Sequence, residues 1–290
     1  MISKSATIVH WTKNGKDGIK MKKIIGFLCL ATAVLSLAAC GNDAKKESAE
    51  NTGTDKYEEI KKAGTLKVGT EGTYAPFSYH DEAGDLVGYD VEIAEAVGEE
   101  LGLKIEFVEA PWDSLIAAFD ANKCDIVFNQ VGITDERKEK YAFSVPYTFS
   151  HTALVTKKGN TEIKSFADLE GKKSAQTITS NYAKVAESYG ASIESTDGFS
   201  KAVELLIAGR ADATLNDDVA YYDFLKQKPD AEIQIAATDD EVIEMAALVK
   251  KDQKELLAAV DEALEKLKAA GTLTEISNKY FDKDISQESK

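Results

Sequence analysis

The sequence predicts an α/β protein of two lobes, each with a mainly parallel sheet and flanking helices. The first observation is that short β-rich runs alternate with helical runs after residue 57, an order typical of parallel sheets covered by helices. The second is that the alternation begins afresh with "TALVTKKG" (152–159), a run that "MAALVKKD" (245–252) echoes. The folded body is expected to have roughly 230 residues, which is enough for two lobes.

The N-terminal segment has the pattern of a secretory signal peptide. "MKKIIGFLCLATAVLSLAAC" (21–40) carries two lysines, then an apolar run, then small residues before Cys40. The apolar run is too short for a membrane span and has the flanks of a cleaved signal. "LAAC" (37–40) resembles a bacterial lipobox, which implies cleavage before Cys40 and a lipid on its sulfur. An ordinary signal peptidase site is the alternative.

Two N-terminal segments are therefore expected to lie outside the folded body. Residues 1–39 are predicted to be an upstream extension and signal peptide. Residues 40–56 are predicted to be the lipidated cysteine and a flexible tether, because the stretch after the cysteine has no large apolar residue to bury.

Composition excludes several classes of function. Removing residues 1–39 removes six lysines and one aspartate, which moves the net charge from −15 to −20. Such an acidic chain argues against a nucleic-acid partner, because phosphate binding requires clustered lysine and arginine. Once Cys29 and Cys40 are set aside, Cys124 remains alone, so no internal disulfide is expected. The sequence has no metal-spaced Cys/His cluster and no phosphate-binding glycine loop, so no metal or cofactor is predicted.

The first half of the body is predicted to contain strands and helices in alternation. Strands are expected at 65–69, twice within 77–90 around a glycine-containing turn, at 104–110 and at 124–130. Helices are expected at 90–102 and 112–123. In the first of these, Asp90 is predicted to be the N-cap and Gly102 the C-cap.

The second half repeats the alternation and then ends in helices. Strands are expected at 152–159, 172–177, 211–217, 232–237 and 245–252. Helical segments are expected at 165–171, 181–190, 199–209, 218–227, 254–271 and 272–281, the first of them with Ser165 as its N-cap.

These elements suggest where the lobes begin and end. Lobe 1 is predicted to comprise 57–149 and 245–285, lobe 2 to comprise 150–244, and 286–290 to form a tail. The chain would then cross between the lobes twice, and the two crossings would form a hinge.

Arg137 lies where an α/β sheet places its ligands. Thr134 is a suitable N-cap for a helix that begins just after the predicted strand at 124–130, and ligands of open α/β sheets bind beyond the carboxyl ends of strands. The guanidinium group can bind a carboxylate through two parallel hydrogen bonds. The alternative is a surface arginine that pairs with Asp135 or Glu136 and contributes little.

Other polar and aromatic side chains follow neighbouring strands. Glu71 and Tyr74 follow the strand at 65–69, Trp112 follows the strand at 104–110, and Asp217 ends the strand at 211–217. Each has an ordinary structural explanation, such as core packing for Trp112 or helix capping for Asp217. Their joint position at one sheet edge predicts a binding site.

Taken in order, several motifs resemble the extracellular solute-binding proteins of polar amino-acid ABC transporters. The resemblance rests on "GTLKVGTEGTYAPFSY", "GYDVEIAEAVGEELG", "GITDERKEKYAFSVPY", "SFADLEGKK", "GRADATLNDDVA" and "AAGTLTEISNKYF". It implies the two-lobe, periplasmic-binding-protein-like fold of type II, with a two-strand hinge and a ligand cleft between the lobes. It also implies a monomer on the outer face of the cell membrane that delivers its ligand to an ABC permease and its ATPase.

The resemblance implies roles for individual residues. Arg137 corresponds to the residue that binds the ligand carboxylate, Asp217 to the one that binds the α-ammonium group, and Tyr74 and Trp112 to the aromatic walls. The predicted site also includes Ser180 and Asn181 on the lobe 2 side, and Glu71, Asn129, Gln130 and Gly132 on the lobe 1 side. A hydroxyl residue is common in the family at the position of Gly132, so any hydrogen bond from this position must come from the backbone.

The sequence leaves alternatives for the identity of the ligand and for the function of the site. The stretches "NQV" (129–131), "TDERKEKYAFSVPYT" (134–148) and "TSNY" (179–182) are most similar to the L-cystine-binding branch, with arginine, glutamine or another polar amino acid as alternatives. A periplasmic dehydratase-like enzyme with Glu71 as its acid is a second function, although no nucleophile–histidine pair is evident. A sensor or adhesion module is a third.

Overall fold

The computed structural model describes residues 56–288. The predicted signal peptide, Cys40 and the tether up to residue 55 lie outside the described residues, as do 289–290. Lys56, predicted to end the tether, is the first residue of a helix that the sequence analysis missed.

The first half of the described chain contains four helices and seven strands. In chain order they are α1 (Lys56–Ala63), β1 (Thr65–Thr70), β2 (Thr73–Tyr74), β3 (Ser78–His80), β4 (Leu86–Val87), α2 (Tyr89–Leu101), β5 (Lys104–Glu109), α3 (Trp112–Asp120), β6 (Ile126–Gly132), α4 (Asp135–Lys140) and β7 (Tyr141–Phe143).

The second half follows with five helices and five strands, and with a 3₁₀ helix at Phe166–Leu169. In chain order they are β8 (Thr148–Lys157), β9 (Lys173–Gln176), α5 (Asn181–Ser188), β10 (Ser192–Ser195), α6 (Phe199–Ile207), β11 (Ala213–Asp217), α7 (Asp218–Gln227), β12 (Ile233–Lys250), α8 (Lys254–Ala270) and α9 (Thr272–Phe281).

Nine of the strands in residues 56–288 form one mixed sheet, in the order β10-β9-β11-β8-β12-β6-β1-β5, with β7 also pairing with β12. Strands β5, β1 and β6 are parallel, as are β10, β9 and β11. Strands β8 and β12 run antiparallel to their neighbours and join these two parallel groups. We call the part with β1–β7, α1–α4, α8 and α9 lobe 1, and the part with β9–β11 and α5–α7 lobe 2. The predicted fold class is confirmed.

The connection between the lobes consists of the two long strands β8 and β12. Strand β12 pairs with β8 from Ile233 to Met245 and with β6 from Met245 to Val249. The sequence analysis treated this region as two separate strands, which is wrong, because β12 runs unbroken through 18 residues. The predicted lobe boundaries, 149/150 and 244/245, fall within β8 and β12, and we propose these strands as the hinge.

One apolar cluster runs through lobe 1 and into lobe 2, where Phe199 and Val219 belong to it, and a second cluster lies around the lobe 2 strands. Every residue of β6 is buried, as expected for a strand covered on both faces. In lobe 2, Leu154 and Leu215 from the sheet pack with Leu169 and Ala186 from the covering helices. This packing holds the strand ends that carry the predicted site.

Several local predictions can be compared with the structure. Gly102 ends α2 in the left-handed conformation with φ of 66°, as expected of a C-cap. The prediction of Asp90 as the N-cap of α2 is wrong: the helix begins one residue earlier, the N-cap position is Gly88, and the Asp90 side chain is buried. Strands β7 and β10 were missed, and Ser286, the first residue of the predicted tail, is buried.

Candidate ligand-binding site

A small cavity of about 50 Å³ lies between the lobes. Eight of the ten predicted ligand-binding residues line it: Glu71, Tyr74, Trp112, Asn129, Gln130, Ser180, Asn181 and Asp217. Five further lining residues are Thr177, Tyr182, Gly198, Phe199 and Asn216. We call this space the small cavity.

Asp217 is the buried carboxylate on the lobe 2 side of the small cavity. It occupies the N-cap position of α7 but makes no side-chain cap hydrogen bond. Its Oδ1 accepts from the hydroxyls of Ser150, at 2.6 Å, and Tyr182, at 2.5 Å, and its Oδ2 lies 3.0 Å from the Tyr74 hydroxyl. Burial raises the pKa of Asp217 to about 6, and the three hydroxyls partly oppose this rise. An anion held in this way is a suitable partner for an ammonium group.

Glu71 is a second buried carboxyl group, on the lobe 1 side. Asn129 binds it twice: the amide Nδ2 donates to Oε2 at 2.7 Å, and Oδ1 accepts from the Glu71 backbone N–H at 2.8 Å. Burial raises the pKa of Glu71 to about 7, so this group changes charge near neutral pH. Among the described residues, neither Glu71 nor Asp217 forms an ion pair.

A bulge in β6 lets two consecutive residues line the small cavity. Consecutive side chains of a regular strand point to opposite faces, yet Asn129 and Gln130 both line this space. The register with β12 shifts between Val127 and Val131, and Gln130 has a positive φ of 49°, which is uncommon for a residue other than glycine. The bulge therefore redirects one of the two side chains.

Aromatic rings form the walls of the small cavity. Tyr74 contacts Phe199 of lobe 2 with 5.7 Å between ring centroids, and its hydroxyl lies 2.7 Å from Asn216 Oδ1. Trp112 is 7% exposed, and its Nε1 has no hydrogen-bond partner in the described part of the chain. These walls exclude water and provide apolar contact for a side chain.

Arg137 lies in a larger cleft of about 910 Å³ that adjoins the small cavity. Trp112 and Asn181 line both spaces. The guanidinium donates to the Gly132 carbonyl at 2.9 Å, lies 3.4 Å from Asn181 Oδ1, and stacks 5.2 Å from the centre of the Trp112 ring. Burial lowers the pKa of Arg137 to about 10.

The alternative of a surface arginine paired with its own helix is wrong. Within residues 56–288, Arg137 forms no ion pair with any carboxylate, and Glu136 instead pairs with Lys184 of lobe 2. Thr134 caps α4 as predicted, accepting from the Arg137 N–H at 3.2 Å. The half-buried guanidinium is therefore available for an anion.

The turn before α5 brings lobe 2 against lobe 1. Asp113 of α3 accepts from the N–H groups of Ile178 and Thr179, at 3.2 and 2.9 Å, and from the Thr179 hydroxyl at 2.6 Å. The Thr179 carbonyl lies 3.4 Å from the Arg137 guanidinium. Ser180 caps α5 through the Tyr182 N–H at 3.0 Å. These contacts hold the lobes together around the small cavity.

The predicted residues thus fall into three groups. Eight line the small cavity, Arg137 lines the adjoining cleft, and Gly132 lines neither space but binds Arg137 through its carbonyl. The sequence analysis missed Tyr182 and Phe199 as site residues. Both lie in the first turn of a helix that follows a polar or glycine-containing turn, and this position is the signal that could have identified them.

No helix within residues 56–288 is both long enough and apolar enough to cross a membrane. No group of three or more histidine, cysteine or acidic side chains in this part of the chain is placed to hold a metal ion.

Known proteins of similar sequence are solute-binding proteins. The family model for bacterial extracellular solute-binding proteins, family 3, matches residues 66–283. The L-cystine-binding protein TcyA of Bacillus subtilis (strain 168) is 43% identical over 269 residues, which is 92% of this chain and 100% of that protein.

Solved structures show the same two-lobe fold of type II. An ancestral arginine-binding protein bound to arginine has a TM-score of 0.71 and 39% identity, covering 75% of this chain and 98% of that one. The L-cystine solute receptor of Neisseria gonorrhoeae in the unliganded open conformation has 45% identity and covers 80% of this chain and 99% of its own, with a TM-score of 0.54.

The motifs, the two-lobe architecture and the extent of these matches agree. The chain belongs to the bacterial extracellular solute-binding proteins of family 3.

Proposed function

We propose that this protein binds a polar amino acid between its lobes, with L-cystine as the best candidate, and delivers it to an ABC permease and its ATPase. The observation that carries the proposal is a pair of oppositely charged groups, the buried Asp217 and the half-buried Arg137, in adjoining spaces that share Trp112 and Asn181. Neither group has a charged partner among the described residues.

The charges of a free amino acid match this arrangement. Burying a carboxylate or an ammonium group without a partner costs several kcal/mol, so a site for a zwitterion needs a fixed cation and a fixed anion. In the proposal, Asp217 of lobe 2 receives the α-ammonium group and Arg137 of lobe 1 receives a carboxylate. Asn129, Gln130, Ser180 and Asn181 supply further polar contacts, with Gly132 holding Arg137 in place. A ligand bound to both lobes stabilises the closed form, and closure is the signal that a permease can recognise.

The candidate L-cystine is supported by size and by similarity. The small cavity has about 50 Å³, which suits one amino-acid head group, whereas the adjoining cleft has about 910 Å³. Cystine has two such head groups joined by a disulfide, and it would occupy the small cavity and extend past Trp112 into the cleft. TcyA is named for L-cystine binding. Arginine, which is bound by one structural relative, and glutamine are the alternatives.

We also propose that the protein is a monomer held on the outer face of the cell membrane by a lipid on Cys40. The support is the match to an extracellular family together with the sequence pattern before Cys40. Mass spectrometry of the N-terminal peptide from cell membranes tests the anchor: an unmodified Cys40 contradicts it.

Glu71 supports a second, enzymatic candidate, because its carboxyl group has a pKa of about 7 and lines the small cavity. A group with this pKa can donate and accept a proton near neutral pH. The named relatives, however, are binding proteins. Incubation with each amino acid and mass spectrometry of the recovered ligand distinguishes the two, because a binding protein returns it unchanged.

The central experiment is a thermal-shift screen of the purified protein against the common amino acids and L-cystine. A ligand that binds the native state raises the unfolding temperature, and calorimetry then gives its affinity. We expect L-cystine to give the largest shift, and we expect Arg137→Ala to abolish it while Arg210→Ala, at an exposed position, leaves it unchanged. The proposal fails if no amino acid shifts the transition.

Uptake of labelled cystine in cells that lack the protein tests delivery to the transporter. Reduced uptake supports the transport role, whereas normal uptake with altered signalling supports the sensor alternative.

A further inference from the structure

Two buried oxygen atoms next to the small cavity have no hydrogen-bond partner. They are Asp90 Oδ2 and Gln130 Oε1. The two side chains that carry them are joined by another bond, because Gln130 Nε2 donates to Asp90 Oδ1 at 2.7 Å. Asp90 is completely buried and Gln130 is 7% exposed. Buried polar atoms without partners are rare in native proteins, so two on one bonded pair require an explanation.

The protonation state of Asp90 explains both atoms. An ionised carboxylate accepts hydrogen bonds but cannot donate, and the amide oxygen of glutamine also only accepts. With a proton on Asp90 Oδ2, that atom can donate, and the unpartnered acceptor on the side chain already bonded to Asp90 is Gln130 Oε1. The two side chains then form a ring closed by two hydrogen bonds, one in each direction.

We propose that Asp90 is a neutral carboxylic acid in the folded protein and acts as a positioning residue that fixes Gln130 in the wall of the small cavity. This inference rests on the proposed function in so far as it assigns a role in ligand binding. The protonation state itself does not depend on the identity of the ligand.

The surroundings of Asp90 favour the neutral acid. Burial raises the pKa of Asp90 to about 7, and the negative charge of Asp217 raises it further. The donors that oppose this rise are the Tyr147 hydroxyl, 2.9 Å from Oδ1, and the side chain and backbone N–H of Gln130. No described lysine, arginine or histidine forms an ion pair with Asp90.

Other charged groups lie on the elements packed against α2. Two aspartates are among them: the charge of Asp284 acts on the neighbouring Tyr89, and Asp261 accepts from the Val145 N–H. The other charged side chains of α2 and of these elements are mostly exposed, among them His80, Glu95, Glu99, Lys104, Glu106, Glu109, Lys254, Glu262, Lys266 and Glu275, and Glu92 pairs with Lys279. None of them supplies a cation to Asp90.

The ring matters for the site because of where Gln130 lies. This residue forms the β6 bulge with its positive φ of 49°, a conformation that neighbouring contacts must hold. Its Nε2 is also 3.2 Å from the hydroxyl of Thr148, the first residue of β8. The ring therefore ties α2, the bulge and the start of a hinge strand together, and Asp90 needs no contact with the ligand to affect binding.

The variants Asp90→Asn and Asp90→Leu test the role in binding. The amide of Asp90→Asn reproduces the ring, because its oxygen accepts from Gln130 Nε2 and its N–H donates to Gln130 Oε1. We expect calorimetry at pH 6 to give Asp90→Asn an L-cystine affinity within about threefold of wild type, and Asp90→Leu an affinity at least about tenfold weaker. Circular dichroism confirms that each variant folds.

The dependence of affinity on pH separates positioning from simple packing. Ionisation of Asp90 breaks the ring, so the wild-type affinity is expected to fall by up to about tenfold per pH unit above about 7. In the same titration of Asp90→Asn, the affinity still changes with the ionisation of Glu71, Asp217 and Arg137 but not with that of Asp90. Parallel pH profiles for the two proteins, or an Asp90→Asn variant as weak as Asp90→Leu, overturn the proposal.

Infrared difference spectroscopy gives an answer that needs no ligand. Wild type minus Asp90→Asn at pH 6 is expected to show the carbonyl stretch of a protonated carboxyl group, and this band disappears as the pH rises. Carboxylate bands in its place at pH 6 overturn the proposal. If the acid band is present but L-cystine does not bind, the ligand assignment is wrong while the neutral Asp90 stands.

Discussion

Replacing Asp217 with asparagine keeps the shape of the side chain and removes its charge. The amide oxygen can accept the hydrogen bonds now made by Ser150 and Tyr182. The amide N–H can donate to the Tyr74 hydroxyl, which in turn donates to Asn216 at 2.7 Å. Every buried polar atom of the group then keeps a partner, so the substitution tests charge rather than packing.

The expected gain in stability follows from the pKa of Asp217. Burial raises this pKa from 3.8 to about 6, and each pKa unit corresponds to about 1.4 kcal/mol, so ionisation costs the folded protein about 3 kcal/mol. Because the folded form holds the proton more tightly than the unfolded chain, the contribution of Asp217 to the free energy of unfolding falls as the pH rises from about 4 to about 6 and is then constant. Asp217→Asn removes this fall and should be more stable than wild type at pH 7 by up to about 3 kcal/mol.

Urea unfolding of both proteins from pH 4 to pH 8 measures this difference. The same variant should bind L-cystine at least about a hundredfold more weakly, because the α-ammonium group loses its buried counter-charge. An Nα-acylated ligand, which lacks that charge, should bind wild type and variant equally weakly. Parallel curves of unfolding free energy against pH, or a variant with wild-type affinity, would refute the reasoning.

Three further predictions concern other parts of the molecule. Arg137→Ala should lower ligand affinity by at least about tenfold, because the ligand loses a charged hydrogen-bond partner, and it should not lower the unfolding temperature. The control Arg210→Ala should change neither quantity; calorimetry measures the affinity and a thermal scan the unfolding temperature. Asp113→Ala removes three hydrogen bonds between the lobes and should raise the ligand dissociation rate about tenfold, with little change in the association rate. Stopped-flow fluorescence measures both rates, and an unchanged dissociation rate contradicts the prediction. Gly88→Ala places a Cβ 2.2 Å from the Phe77 carbonyl oxygen at a φ of 137°, whereas Gly84 has a φ of 87° and open space around it. Gly88→Ala should therefore destabilise the protein by at least about 2 kcal/mol more than Gly84→Ala; equal urea midpoints would show the contact to be unimportant.

The strand ends of the site could be predicted from sequence because two simple rules apply. Parallel strands end at one edge of a sheet, so Glu71 and Trp112, which follow β1 and β5 of lobe 1, meet in space. Asp217 ends β11 of lobe 2, which runs antiparallel to those strands, so the single sheet edge predicted from the sequence is wrong for this residue, and it reaches the small cavity from the other lobe. Local capping signals such as Thr134 and Gly102 also need no knowledge of distant contacts.

The remainder depends on tertiary contacts that no local pattern contains. Nothing in "FNQVG" shows that Gln130 takes a positive φ, because the bulge arises from pairing with β12. Aspartate commonly occupies the N-cap position of helices, but Asp90 is buried by the fold and bonded to Gln130 and Tyr147. The polar residues 239–241 in the middle of β12 resemble a loop, and pairing with β8 on either side, at Thr238 and Val242, includes them in one strand.

The pairing of Ser150 with Ile243 places the two ends of the 150–244 segment side by side. A segment that leaves and re-enters a protein at neighbouring points can be exchanged as one piece. A chimera that takes this segment from an arginine-binding relative would receive a new partner for the ligand's amino group while keeping Arg137. Evolution and protein engineering could therefore change each half of the recognition separately, through a single contiguous exchange.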